Sequence, residues 1–123
     1  MLRSSASTGN PEFKRVVDSL LLSVSNFDRL ENRSAIREPL VVPVRVAFCD
    51  SPTRMPGFTR NVSVTGVGLL LPAACNEGGR AVITMERTDG RGKHSVLSEC
   101  RWCKPFGESW MFSGWQFIKV KLG

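Results

Sequence analysis

Two arginines four residues apart, Arg33 and Arg37, and the segment Asn61-Val62-Ser63-Val64-Thr65-Gly66 are the parts of this sequence best suited to chemistry. A guanidinium presents a planar fork of donors. It can therefore grip phosphate oxygens, or the N7 and O6 acceptors of guanine, two bonds at a time. Its flat face also stacks on a purine. Asn61 carries an acceptor oxygen and a donor amide, and the Ser63 hydroxyl can donate to phosphate or guanine. A spacing of two puts Asn61 and Ser63 on one face of a strand. Gly66 permits positive φ and close approach of backbone to a ligand. Each segment also has a plain reading. Arg33 and Arg37 would pair with Glu31 and Glu38 on a solvated loop. Asn61 and Ser63 would bond their own backbone in a β-turn. The two segments gain weight from occurring together, the arginines just before one β-type run and the polar turn between two others.

The surrounding pattern predicts how these residues are held. Residues 1–10 are rich in Ser, Ala and Thr and read as a disordered leader. Phe13, Val16, Val17, Leu20, Leu21 and Val24 recur at helical spacing, which predicts an amphipathic helix over 11–24. Asn10 suits its N-cap, Pro11 its first turn and Glu12 the positive end of its dipole. Such a helix is too short to persist alone, so its apolar stripe must dock. Residues 25–38 form a polar linker containing the arginine pair. From 39 to 123 the pattern is β. Strands are expected over 40–48, 58–63, 67–71, 80–86, 94–104 and 109–120, with the hairpin turn Asp89-Gly90-Arg91-Gly92 before the last pair. Six short strands with turn chemistry between them predict an all-β fold, a closed or nearly closed antiparallel barrel with an N-terminal helix.

Composition limits the function classes. No apolar run is long enough to span a membrane, and Leu20-Leu21-Leu22 is too short for a secretory core, so a cytoplasmic protein is expected. The net charge of +6 lies mainly in residues 31–60 and 91–123 and favours anionic partners. The four cysteines, Cys49, Cys75, Cys100 and Cys103, are expected to be reduced. Cys100-Arg101-Trp102-Cys103 lacks the second ligand pair of a zinc site and falls in a strand. Alternation there puts Cys100 and Cys103 on opposite faces, as ordinary packing residues. His94 is the only histidine and has no matched nucleophile, so no catalytic residue is assigned. No metal or cofactor is expected. Trp102, Trp110 and Trp115 near Arg and Lys suggest either a stacking surface for single-stranded nucleic acid or, more simply, barrel core and rim.

In this order the two segments, written RxxxR and NxSxxG, resemble the motifs of the PilZ family, small bacterial β-barrels that bind cyclic dimeric GMP. Leu40-Val41-Val42-Pro43-Val44-Arg45-Val46 and Gly114-Trp115-Gln116-Phe117, similar to the family's late G-x-x-F, extend the resemblance over about residues 31–120. It implies a second-messenger receptor or adaptor in which Arg33, Arg37, Asn61, Ser63 and Gly66 hold the ligand and a protein partner reads the result. Asn61 stands where the family more often has Asp. Asn32 stands where a further arginine is common, which leaves the number of bound ligands open. The N-terminal helix is expected to serve where the family often has a helix after the last strand. Two alternatives remain: a basic barrel that binds single-stranded nucleic acid, and a PilZ-like interaction module without ligand.

Overall fold

The computed structural model describes residues 11–23 and 38–121. The arginine pair, the leader and most of the linker lie outside the described residues. Helix α1 spans Pro11–Ser23. Strands follow at Glu38–Pro39 (β1), Pro43–Phe48 (β2), Arg54–Val62 (β3), Gly66–Leu71 (β4), Arg80–Glu86 (β5), Lys93–Phe106 (β6) and Trp110–Lys121 (β7). All pairings are antiparallel. The order β3-β2-β5-β6-β7-β4 closes on itself because β4 also pairs with β3. The result is the expected six-stranded closed barrel, to which the two-residue β1 is appended alongside β3. Closure gives every barrel strand a partner on each side along at least part of its length and so limits the open edges such strands would otherwise present.

The interior follows the alternation of the strands. Val44 and Val46 of β2, Ala81, Ile83 and Met85 of β5, and Leu69 and Leu71 of β4 are buried. Trp115 is the largest buried side chain at 2% exposure. Its indole N–H donates to the Ser113 hydroxyl at 2.8 Å, so the polar end of the ring is satisfied inside the core. On α1, Phe13, Val16, Val17, Leu20 and Leu21 are buried in the same core. Phe13 packs on Phe117 of β7 with ring centroids 5.4 Å apart. Burying each such side chain contributes on the order of 1.5–3 kcal/mol, which a 13-residue helix needs to persist.

The strand boundaries differ from expectation in two informative places. The run Leu40–Phe48 is not one strand. Thr59 interrupts it: its hydroxyl donates to the Leu40 carbonyl and accepts from the Val42 N–H at 2.8 Å, so Leu40–Val42 drops out of regular strand pairing while the Leu40 N–H still donates to the Arg60 carbonyl and the Thr59 N–H to the Val42 carbonyl. Meanwhile β3 begins at Arg54 and runs through Pro56, ahead of the strand expected from residue 58. Its first half pairs only with β2, and β4 joins from Phe58 onward. A proline lacking an N–H is tolerated on that open side.

The candidate site at the β3–β4 turn

Asn61 is the penultimate residue of β3, half-buried, and pairs with Gly68 of β4. Gly68 pairs in turn with Gly114 of β7, and Gly114 with Trp102 of β6. One row across four strands therefore reads Asn61, Gly68, Gly114, Trp102. The two central positions carry no side chain. The Asn61 Oδ1 lies over Gly68, 2.7 Å from where a β-carbon would stand, and the Trp102 indole lies over Gly114. A cleft of about 190 Å³ opens beside this row, lined by Thr65, Gly66, Arg101, Trp102, Gly114, Trp115 and Gln116.

The turn after Asn61 is built by its own hydroxyls. β3 ends at Val62, so strand alternation does not carry on to Ser63. That residue is buried at 4% exposure. The Ser63 N–H donates to the Gly66 carbonyl at 2.9 Å, and the Thr65 N–H donates to Ser63 Oγ at 3.2 Å. Ser63 Oγ also shares a hydrogen bond of 3.1 Å with Thr65 Oγ1. Thr65 in turn accepts from the Phe117 N–H at 2.9 Å, which fastens the turn to β7. Gly66 is not in the positive-φ region. Its small size is needed because a β-carbon there would collide with the Trp115 carbonyl oxygen. The NxSxxG segment thus forms a rigid lip beside the cleft, with Asn61 and the exposed Thr65 as its outward groups.

Two bulges aim further cations at this region. The pairing of β3 with β4 shifts between Thr59 and Asn61, and that of β6 with β7 shifts between Cys100 and Trp102. Arg60 and Arg101 are the extra residues. A bulge leaves its extra residue unpaired and re-aims the side chain. Arg101 lines the cleft. Arg60 lies over the rings of Phe106 and Phe112, at 4.7 and 5.2 Å from their centroids. Lys104 lies 5.4 Å from the Trp102 ring centroid. The sequence did not single out Arg60 or Arg101, because a bulge has no signature in residue type. The three tryptophans do not form one surface. Trp115 is interior, Trp102 walls the cleft, and Trp110 is exposed against Phe58 with centroids 6.5 Å apart.

The five residues singled out from the sequence are therefore only partly within view. Asn61, Ser63 and Gly66 share the turn, while Arg33 and Arg37 lie outside the described residues. One pairing bears on them. Glu38, the next residue after Arg37, pairs with Val62, and Pro39 pairs with Asn61. The chain that carries the arginines thus meets the barrel beside Asn61.

The remaining cysteine and histidine expectations divide. Cys100 and Cys103 do not face opposite ways. The extra residue Arg101 resets the alternation, and both pack against the core. His94 faces α1, where Ser19 Oγ bridges His94 Nε2 at 2.9 Å and accepts from Arg87 Nη1 at 2.7 Å. Burial, and then the Arg87 charge, hold the imidazole pKa below its ordinary value. His94 therefore helps clasp the helix to the β5–β6 hairpin. Among the described residues no helix is long and apolar enough to cross a membrane.

Fold and site together define a small closed antiparallel barrel with a polar, glycine-floored cleft on its outer wall. The chain belongs to the PilZ domain family, whose model matches residues 31–122. No curated protein matches it.

Proposed function

We propose that the chain is a receptor for cyclic dimeric GMP, bound where the segment after Arg37 joins β3. The observation that carries this reading is the pairing of Pro39 with Asn61. It holds the residues that directly follow Arg37 against Asn61, although Arg37 and Asn61 are more than twenty residues apart in the chain. Arg33 and Arg37 would bind phosphates and the N7/O6 edges of guanine bidentately. Asn61 would meet a guanine edge. Ser63 and Gly66 would contribute chiefly by holding the turn and admitting close approach, with the Ser63 hydroxyl available if the turn opens. The cleft is smaller than the few hundred Å³ usual for small-molecule sites, so the arginine segment would complete the enclosure.

The chain would act by binding and not by catalysis, with no cofactor, in the cytoplasm. Ligand would draw the arginine segment onto the barrel, and a protein partner would read that change. A nucleic-acid groove is the less favoured reading. The protein's own Arg60 and Lys104 already cover the ring faces on which bases would stack. Isothermal titration with cyclic dimeric GMP, against GMP and a short single-stranded RNA, separates them. Saturable binding of the cyclic dinucleotide alone supports the receptor. RNA binding alone, with an affinity falling steeply as salt rises, would replace it.

A further inference from the structure

The connection between β4 and β5, residues 72–79, is stitched to β6. The Gly78 N–H donates to the Cys100 carbonyl at 2.7 Å, and the Cys100 N–H donates to the Gly79 carbonyl at 2.8 Å. The Cys75 N–H donates to the Cys103 Sγ at 3.4 Å. The Cys103 thiol lies close enough to the Cys75 thiol to help raise its pKa, with the Ser113 hydroxyl nearby. This meeting depends on the bulge at Arg101. Without the extra residue, Cys103 would point away from the side on which Cys75 sits. The two residues are 28 apart in sequence, half-buried, and both unbridged in this structure.

We propose that Cys75 and Cys103 are a reversible disulfide site, closed by exchange with a low-molecular-weight disulfide of the glutathione type. One protein thiolate attacks a sulfur of the small disulfide. The small S–S bond breaks, a mixed disulfide forms and one small thiolate leaves. The second protein thiolate then attacks the protein sulfur of the mixed disulfide. The Cys75–Cys103 bond forms and the second small thiolate leaves. Two protein thiols are oxidised, one small disulfide is reduced to two thiols, and the two thiol protons pass to the leaving sulfurs.

The geometry selects this pair among the four cysteines. Cys100 is fully buried, and Cys49 is exposed in the turn after β2. Burial, together with the neighbouring thiols, pushes the Cys75 pKa up to about 12. Thiolate is scarce at neutral pH, so closure should be slow there and quicken as pH rises. The bond would tie residues 72–79 to β6 one residue away from Trp102, the wall of the cleft. The proposal stands on the thiol geometry and does not require the ligand reading.

The test equilibrates the whole reduced chain with graded ratios of oxidised to reduced glutathione. Free thiols are then trapped by alkylation and the peptides mapped by mass. The expected product is an intramolecular Cys75–Cys103 bridge, lighter than the dithiol by two hydrogens. It should form equally in Cys49→Ser and faster at higher pH. In Cys75→Ser, Cys103 should stop at the mixed disulfide with glutathione. A bridge through Cys100, or Cys49-linked dimers as the only oxidised species, would overturn the proposal. So would alkylatable Cys75 and Cys103 at ratios where Cys49 has fully reacted.

Discussion

Pro39 pairs with Asn61, so the chain leaving the arginine segment is hydrogen-bonded to β3 where that strand turns toward β4. The pairing fixes the two residues that directly follow Arg37, Glu38 and Pro39, beside the NxSxxG turn.

Asn61→Ala should lower the preference for guanine over adenine more than it lowers affinity for phosphates. Competing titrations with cyclic dimeric GMP and cyclic dimeric AMP measure this. Equal binding of both ligands by the unaltered chain would show that no guanine edge is read. Ser63→Ala should behave differently. Its hydroxyl is buried in the turn, so the loss should appear in stability, about 0.5–1.5 kcal/mol in denaturant unfolding, as well as in affinity.

Gly66→Ala and Gly114→Ala should part in the same way. At Gly66 the obstacle is the Trp115 carbonyl, a backbone atom that cannot swing aside. Overpacking of this kind costs about 1–3 kcal/mol of stability. At Gly114 the obstacle is the half-exposed Trp102 ring, which can rotate away. Stability should fall less there, and affinity should fall because the cleft loses its wall. Equal destabilisation by both would mean that Trp102 is fixed as firmly as the backbone.

Acid should loosen the helix. The His94 pKa is held below its ordinary value of 6.5, by burial first and Arg87 second. A depressed pKa means that the unfolded chain takes up the proton more readily. The contribution of His94 to stability is thus complete above pH 6.5 and is lost as pH falls from there through the lowered folded value. His94→Gln should flatten that part of the stability profile, read from unfolding midpoints across pH 5–8, a range that brackets the imidazole. An unchanged slope would assign the acid sensitivity to another group.

Most of the barrel could be read from alternating valines and turn residues. Six strands and their order of occurrence follow from runs such as Pro43–Phe48 and Arg80–Glu86. What could not be read depends on register. Thr59 replaces ladder bonds with its side chain, and nothing in its identity announces that. The row from Asn61 to Trp102 joins residues of four strands, and the bulges at Arg60 and Arg101 decide who faces whom. Chemistry at Asn61, Ser63 and Gly66 was legible as a polar turn. The Trp102 wall and the Cys75–Cys103 contact were not, because each requires one inserted residue to reset the alternation.

Residues 25–37 should gain amide protection when ligand binds. Fixing each backbone residue costs on the order of 1–2 kcal/mol of conformational entropy, which the ligand's contacts with Arg33 and Arg37 must offset. Hydrogen exchange across this segment, with and without cyclic dimeric GMP, reads the change. Equal protection in both states would move the proposed signal to a different part of the chain.

Titration calorimetry of cyclic dimeric GMP into the unaltered chain, Arg37→Ala and Asn61→Ala tests the central claim most directly. The account predicts saturable binding to the unaltered chain. It predicts a loss of at least tenfold in Arg37→Ala, since a charge-assisted bond of about 1.5–3 kcal/mol disappears. Asn61→Ala should lose affinity as well, and both variants should keep the thermal midpoint of the parent. Absence of binding by the unaltered chain, or undiminished binding by both variants, would contradict it.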